Sequence, residues 1–451
     1  MSISTLSRFL LGALLLGAGA ATGQPRPLTL DEAVQHALAR NRTLDASRSG
    51  YQSAAWSLRG AYAGWLPRAE FSSGLTRINQ ASLRLANAPI DFIKNAAGLP
   101  PELAANIRPF AYENTYSTSV TLLQPLYNSG LEHLGIRSAG VRRRQSGHQL
   151  EDTRQEVVSR VQTGYYQALK AAALLELTRE MEQRTASYLE TARRKTAAGM
   201  KTSAEVLRWE VQLATEQGRA VDAENGLALA KAALNETMGA ELEEEYTLVP
   251  PAEPESADTA AAAPQHLDGH PGLEVAKSLV ELRRLELQRE GSRFTPQLNL
   301  AFSYAWEKDA DLALDGTRSW STSLLFQFPI NGLRDYAAVQ QARADLRQAQ
   351  VQAEDVERRL RLQAHNAALG LRAAHQRLAI ARKAVEQAET NLATTQRRYE
   401  QGMAANIELL DAQTAAYQTH TMLINANCDL AIARIELERA LGSRSHEKGD
   451  L

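Results

Sequence analysis

The sequence predicts an exported α+β chain built as two tandem copies of one unit, each holding a pair of amphipathic strands and a very long helical hairpin. Three observations predict it: a secretory leader, echoes at a fixed offset, and a hydrophobic period that switches from two to the helical spacing. The bulk composition agrees. Apolar residues make up 44% and aromatics only 6%, with alanine and leucine prominent, which suits long helices. A net charge of −2 supplies no long-range attraction for nucleic acid. The single cysteine, Cys428, cannot form an intrachain disulfide and stands in a helical stretch as a small side chain.

The opening "MSISTLSRFLLGALLLGAGAATGQ" has Arg8, an apolar core from Phe9 to Ala21, and then small residues. At about 13 residues that core is too short to span a bilayer, so 1–23 reads as a cleaved signal, cut between Ala20 and Gly23. No cysteine follows to take a lipid. The rest of the sequence holds no run of about 18 apolar residues, and no transmembrane helix is expected.

The echoes define the copies. "RRKTAAGMKTSAEVLRWEVQL" (193–213) matches "RRYEQGMAANIELLDAQTAAY" (397–417), placing Gly199 and Gly402 203 positions apart, each followed by methionine. "QPLYNSGL" from Gln124 matches "QFPINGL" from Gln327, and Gly239 matches Gly442, at the same offset. Nearer the start, "NRTLDASRS" matches "HPGLEVAKS" and Pro67 matches Pro296, at an offset of 229. The first copy therefore carries 26 more residues between Pro67 and Gln124, filled by "NAPIDFIKNAAGLPPELAANIRPF". Repeat 1 covers 24–239, a Pro/Ala-rich connector covers 240–269, repeat 2 covers 270–442, and 443–451 is a tail.

Within repeat 2, Leu298, Leu300, Phe302, Tyr304 and Trp306 alternate with Gln297, Asn299 and Ser303; then Trp320, Thr322, Leu324, Phe326 and Phe328 alternate with Ser321, Ser323 and Gln327. This is period two, and it predicts strands near 296–306 and 320–328. Repeat 1 has weaker counterparts near 67–78 and 110–124. The period then becomes helical: Leu346, Ala349, Ala353, Val356, Leu360, Ala364, Ala367, Leu371, Ala374, Leu378, Ala381, Val385, Ala388 and Leu392 form a heptad seam with one stutter. Continued to Tyr399, it spans roughly 80 Å of helix. The first copy repeats it through Leu150, Val157, Val161, Tyr165, Leu169, Ala172 and Leu175. Gly199 and Gly402 then fall where each hairpin turns, since glycine accepts the left-handed conformation that ends a helix. Lys201, Thr202, Ser203 and Asn406 are polar residues able to cap the helices that follow.

Four strands cannot close a barrel, and an open sheet edge in lipid leaves backbone groups unsatisfied. Strands in a membrane would thus require several chains to share one barrel. The face with Leu300, Phe302, Tyr304, Trp306, Trp320, Leu324 and Phe326 suits lipid, and the Gln, Asn and Ser face suits water. The other reading is a small soluble sheet covered by helices.

The tandem plan, the opening "LTLDEAVQHALARNRTL", the "QPLYNSG" and "QFPINGL" junctions and the two glycine tips resemble the TolC-type outer membrane factors over nearly the whole mature chain. The resemblance implies three chains sharing a 12-stranded barrel in the outer membrane of a Gram-negative bacterium, continued by a periplasmic α-helical tunnel. It implies a passive exit duct for a tripartite efflux pump or a type I secretion system, served by an inner-membrane transporter. A periplasmic adaptor would dock at tips formed by Gly199, Met200, Lys201, Gly402 and Met403. It also implies an acidic ring at the aperture from Glu408 and Asp411, and a latch involving Tyr399 and Glu205. One position departs: Ala404 stands where the best-known member has an arginine, so the latch does not transfer whole. Three copies of Glu408 and Asp411 would favour bound cations and a cation-selective closed pore. Outside the resemblance, these acids read as solvated helix-face charges.

No nucleophile elbow, P-loop, Rossmann glycine pattern or zinc-ligand spacing is found, so no enzyme, cofactor or metal site is expected. "DADLALDG" (309–316) lacks EF-hand ligands at Ala313 and Trp320 and reads as a surface loop. His266 falls in the connector and His270 at its end, rather than on one helix face. The remaining rival is an exported periplasmic coiled-coil structural or adaptor protein that forms no pore.

Overall fold

The computed structural model describes residues 26–442, apart from 97–99, 101, 104–105, 108, 201, 252–266, 268, 310 and 313. The leader, the tail, Lys201, His266 and most of the Pro/Ala-rich connector lie outside the described residues. The chain divides into two compact units. One takes Met1–Asn41, Arg160–Asp258 and Ala374–Ile432, and the other Arg42–Ser159, Thr259–Ala373 and Ala433–Leu451.

In chain order the elements are β1 (Arg26–Leu28), α1 (Leu30–Arg40), α2 (Arg42–Tyr62), β2 (Arg68–Arg77), α3 (Gln80–Ala96), β3 (Asn114–Tyr127), α4 (Leu131–Ala197) and α5 (Ser203–Met238). There follow β4 (Tyr246–Leu248), α6 (Pro271–Gly291), β5 (Gln297–Lys308), β6 (Thr317–Gln327), α7 (Leu333–Glu400) and α8 (Asn406–Leu441).

The second unit holds an antiparallel sheet in the order β2-β3-β5-β6. Its register decides which residues share a face. Tyr304 lies opposite Trp320 on one side and Val120 on the other, and Val120 lies opposite Phe71. Phe302 pairs Leu122, Leu300 pairs Leu324, and Leu298 pairs Phe326. One face is therefore aromatic and aliphatic. The other carries Ser72, Ser119, Thr121, Ser303, Ser319 and Ser321; across strands the Ser72 hydroxyl meets that of Ser119 at 2.8 Å and the Thr121 hydroxyl that of Ser303 at 3.2 Å. β2 and β6 are exposed along their whole lengths, and neither has a further strand beside it among the described residues.

The stretch that lengthens repeat 1 overlaps α3, a helix the sequence pattern does not announce because Pro89 sits in its interior. β3 begins at Asn114, four residues inside the predicted strand.

Helix ends follow their residues. Thr29 and Glu32 close a reciprocal capping box on α1, with the Glu32 N–H on Thr29 Oγ1 at 3.3 Å and the Thr29 N–H on Glu32 Oε2 at 3.0 Å. The Thr29 N–H, seconded by the Thr29 hydroxyl, holds the Glu32 carboxyl below the usual carboxylate range. At α6, Pro271 occupies the first turn and the Gly272 N–H donates to His270 Nδ1 at 3.1 Å.

The heptad seam is the buried stripe of α7: Ala349, Ala364, Leu371, Ala374, Leu378, Ala381, Val385, Leu392 and Tyr399 are buried. In α4 the stripe runs through Val157, Val161, Tyr165, Ala168 and Leu175, while Leu169 is only half-buried. Ala168 restores the alternation of four- and three-residue steps that a continuous seam needs.

In the first unit β1 pairs in parallel with β4, so the connector is ordered where it begins. The fully buried Tyr165 pins this pair: its Oη lies 2.7 Å from both the Leu28 and Val249 carbonyls and accepts the Val249 N–H at 3.1 Å. Burial raises the Tyr165 phenol and pushes that of neighbouring Tyr246 up to about 12.

Candidate functional site at the hairpin tips

Both hairpins turn by the same backbone device. Gly199 and Gly402 adopt φ of 72° and 77°. The Met200 N–H reaches the Lys195 carbonyl at 2.9 Å and the Gly199 N–H the Thr196 carbonyl at 2.9 Å; Met403 and Gly402 repeat this on Arg398 (2.8 Å) and Tyr399 (3.0 Å). This is the Schellman closure, which satisfies carbonyls that the ending helix would otherwise orphan. Nothing lies within 4 Å of the place where a Cβ would stand on either glycine. Met200 and Met403 project outward, 69% and 63% exposed.

Beneath the tips sits an apolar cluster of Leu189, Ala192, Trp209, Leu392, Tyr399, Ala404, Leu409, Ala412 and Ala416, all in the first unit. Trp209 is fully buried and stacks on Tyr188, with centroids 5.2 Å apart and planes at 26°. Burial raises the Tyr188 phenol, and nearby Arg184 opposes that rise. The Trp209 Nε1, Asn406 Oδ1 and Gln413 Nε2 atoms are buried without a hydrogen-bond partner among the described residues. Packing rather than polar bonding holds this core. Sequence reasoning missed Trp209. Its signal was a mismatch between copies, because the residue 203 places on is Ala412, and the large side chain of one repeat fills the space left by the small one of the other.

Charge at the tips follows the helix dipoles. Arg194 and Lys195 end α4, Arg397 and Arg398 end α7, and Glu205 and Glu408 open the helices that follow. Glu408 is committed to its own chain: Oε1 accepts the Ala405 N–H at 3.2 Å, and Oε2 lies 3.7 Å from Arg398 Nη1. It forms half of a capping box and does the work expected of Asn406, which is instead the first residue of α8. Thr202 occupies the cap position of α5 but makes no side-chain bond to the helix. Asp411 is exposed. Tyr399 is buried with the Lys195 ammonium 5.3 Å from its ring centroid, and Glu205 is half-buried in the first turn of α5. Ala404 is 6% exposed within the cluster, so an arginine there would have to leave the core.

The arrangement combines two turns with exposed methionines, basic and acidic helix ends and a buried apolar cluster. The outer membrane efflux protein family matches 33–240 and 262–443, a segment on each copy. The chain belongs to that family. It is thus an efflux protein of the outer membrane. Solved structures share its fold. A membrane protein of Pseudomonas aeruginosa is 19% identical with a TM-score of 0.76, over 91% of this chain and 90% of that one. The outer membrane protein VceC of Vibrio cholerae is 16% identical with a TM-score of 0.73, over 92% and 96%. The CmeC outer membrane channel of Campylobacter jejuni is 16% identical with a TM-score of 0.76, over 93% and 87%. No curated protein matches the sequence.

Proposed function

We propose that three copies of this efflux channel pool their sheets into one 12-stranded barrel and their hairpins into a periplasmic duct. The duct would serve a tripartite pump or a type I secretion system, with the tips docking a periplasmic adaptor and an inner-membrane transporter supplying the energy. The duct itself is passive and has no catalytic role.

The observation that carries this is the sheet: four strands, two bare edges, one face of Phe71, Tyr304 and Trp320 and the other of serines. Such a sheet is unfinished as a monomer, and lipid tolerates strands only when the barrel closes. We assign Leu300, Phe302, Tyr304, Trp306, Trp320, Leu324 and Phe326 to lipid contact. Electron microscopy of the protein extracted in mild detergent from outer membranes tests the assembly. Trimeric particles with a short barrel and an attached tube are expected; compact monomers in the soluble fraction would leave an exported coiled-coil scaffold.

The tips take the adaptor through Gly199, Met200, Gly402 and Met403, with Lys201 alongside. Exposed methionines suit such a surface, because a flexible thioether packs against varied partners. Tyr399 and Glu205 belong to the contacts that close the aperture. Both acids assigned to the aperture ring are exposed, and Asp411 carries the less engaged charge, since Glu408 also bonds Ala405 and Arg398. In planar bilayers Asp411→Asn should therefore reduce cation selectivity more than Glu408→Gln. Equal selectivity in the wild type and the double variant would remove the ring.

A further inference from the structure

The β2–β3 connection carries an apolar stripe that the described residues of its own chain leave bare. One side of α3 turns inward: Ile90 is buried, and Asn87 holds Ala111 twice, Nδ2 donating to its carbonyl at 2.9 Å and Oδ1 accepting its N–H at 3.0 Å. Another side presents Leu85 and Phe92, two turns apart and 79% and 73% exposed. Such groups in water are unfavourable unless something covers them.

A second bare patch lies at the same end of the sheet. β2 leads away from α2 and β3 returns to α4, so α3 caps the end opposite these helices; the β5–β6 connection caps it too. In that connection Leu312 and Leu314 are exposed. Lys308 Nζ gathers Asp311 at 3.0 Å and Asp315 at 2.9 Å, whereas Asp309 is exposed. α3 is attached to one edge strand, β2, and this connection leads into the other, β6. Joining β6 of one copy to β2 of the next places the leucines of the first beside the stripe of the second. The charges agree, with exposed Arg84 next to Leu85 and Asp309 near the leucines.

We propose that α3 is a clasp between copies. Leu85 and Phe92 of one chain are covered by Leu312 and Leu314 of its neighbour, with Arg84 facing Asp309, and the β2–β6 seam is thereby locked at the outer mouth. The proposal rests on the shared-barrel reading above.

Disulfide trapping in outer membranes tests it, in a Cys428→Ser background that removes the only native thiol. Oxidation of a variant carrying Phe92→Cys and Leu314→Cys should yield covalent dimers and trimers on non-reducing gels, reversed by reductant. Leu85→Ser with Phe92→Ser, both at exposed positions, should lower the temperature at which the oligomer dissociates in SDS. A control series pairs Ser72→Cys on β2 with Ser319→Cys, Ser321→Cys or Ser323→Cys on β6. If the seam series gives oligomers while Phe92/Leu314 and Leu85/Leu312 pairs give none, or only fast-migrating monomer, the clasp is wrong and the shared barrel stands. If a photoactivatable lipid labels position 92 in place of the neighbouring chain, the clasp is equally wrong. Absence of oligomers from every seam pair overturns the shared barrel itself.

Discussion

Replacing Gly402 and Gly239 by alanine separates two reasons for a glycine. Both residues close a Schellman turn, at φ of 77° and 72°. An alanine at either place pays the left-handed penalty, about 1–2 kcal/mol. At Gly402 nothing further is met within 4 Å, so the loss ends there. At Gly239 the new methyl would stand 2.8 Å from the Arg40 carbonyl oxygen and 3.1 Å from its carbon, and backbone cannot swing aside as a side chain can. Overpacking of that kind adds about 1–3 kcal/mol. Gly239→Ala should therefore cost roughly 2–5 kcal/mol in all, against about 1–2 for Gly402→Ala. The assay is the urea midpoint of helical circular dichroism for the protein in detergent, with efflux from cells alongside. Equal midpoint losses for the two variants would refute the reasoning. Gly402→Asn sharpens the test, because asparagine visits the left-handed region readily. Its stability should be near that of the wild type. Loss of efflux in that variant would mean that a partner's surface comes where the missing side chain would be.

Trp209→Ala should cost about 3–5 kcal/mol, whereas Trp209→Phe should cost under about 1.5, since the indole N–H has no partner to lose; similar midpoint losses for both would show that the N–H matters. Tyr165→Phe should destabilise by about 1–3 kcal/mol by taking the hydroxyl from the Val249 carbonyl, while the Val249 N–H keeps the Leu28 carbonyl at 3.1 Å, and hydrogen exchange at Tyr246–Leu248 should quicken; unchanged exchange would free β1–β4 from this side chain. Burial, seconded by Arg439, holds the His270 pKa below its usual 6.5. The unfolded chain takes up this proton first, so the stability His270 supplies is complete above pH 6.5 and is lost as the pH falls toward its lowered folded value. The drop in urea midpoint between pH 7.5 and 5.5 should shrink in His270→Asn, the residue that repeat 1 carries at Asn41; an undiminished drop would place the titration elsewhere.

What was legible in the sequence had a period. The seam of α7 repeats over many turns, and it supplies the buried Ala349, Ala364, Leu371, Ala374, Leu378, Ala381, Val385 and Leu392, while Leu346, Ala353, Leu360, Ala367 and Ala388 are half-buried. The strands of the sheet alternate because their two faces meet different surroundings. Strands of three residues have no room for a period, and β1 and β4 were invisible for that reason. α3 was masked by Pro89. At the tips, the glycines could be placed from the echo alone. Which acid is tied to its own chain could not, because the attachment of Glu408 to Ala405 and Arg398 depends on where the turn brings the end of α7.

The bare edges of β2 and β6 also bear on genetics. On the proposed three-chain barrel, one damaged edge spoils a channel whose other two subunits are sound. When a cell makes sound and damaged chains in equal amounts and they mix at random, only roughly one-eighth of the trimers contain no damaged copy. An edge-strand defect should therefore be dominant over the normal allele, whereas a chain too unstable to be inserted would be recessive.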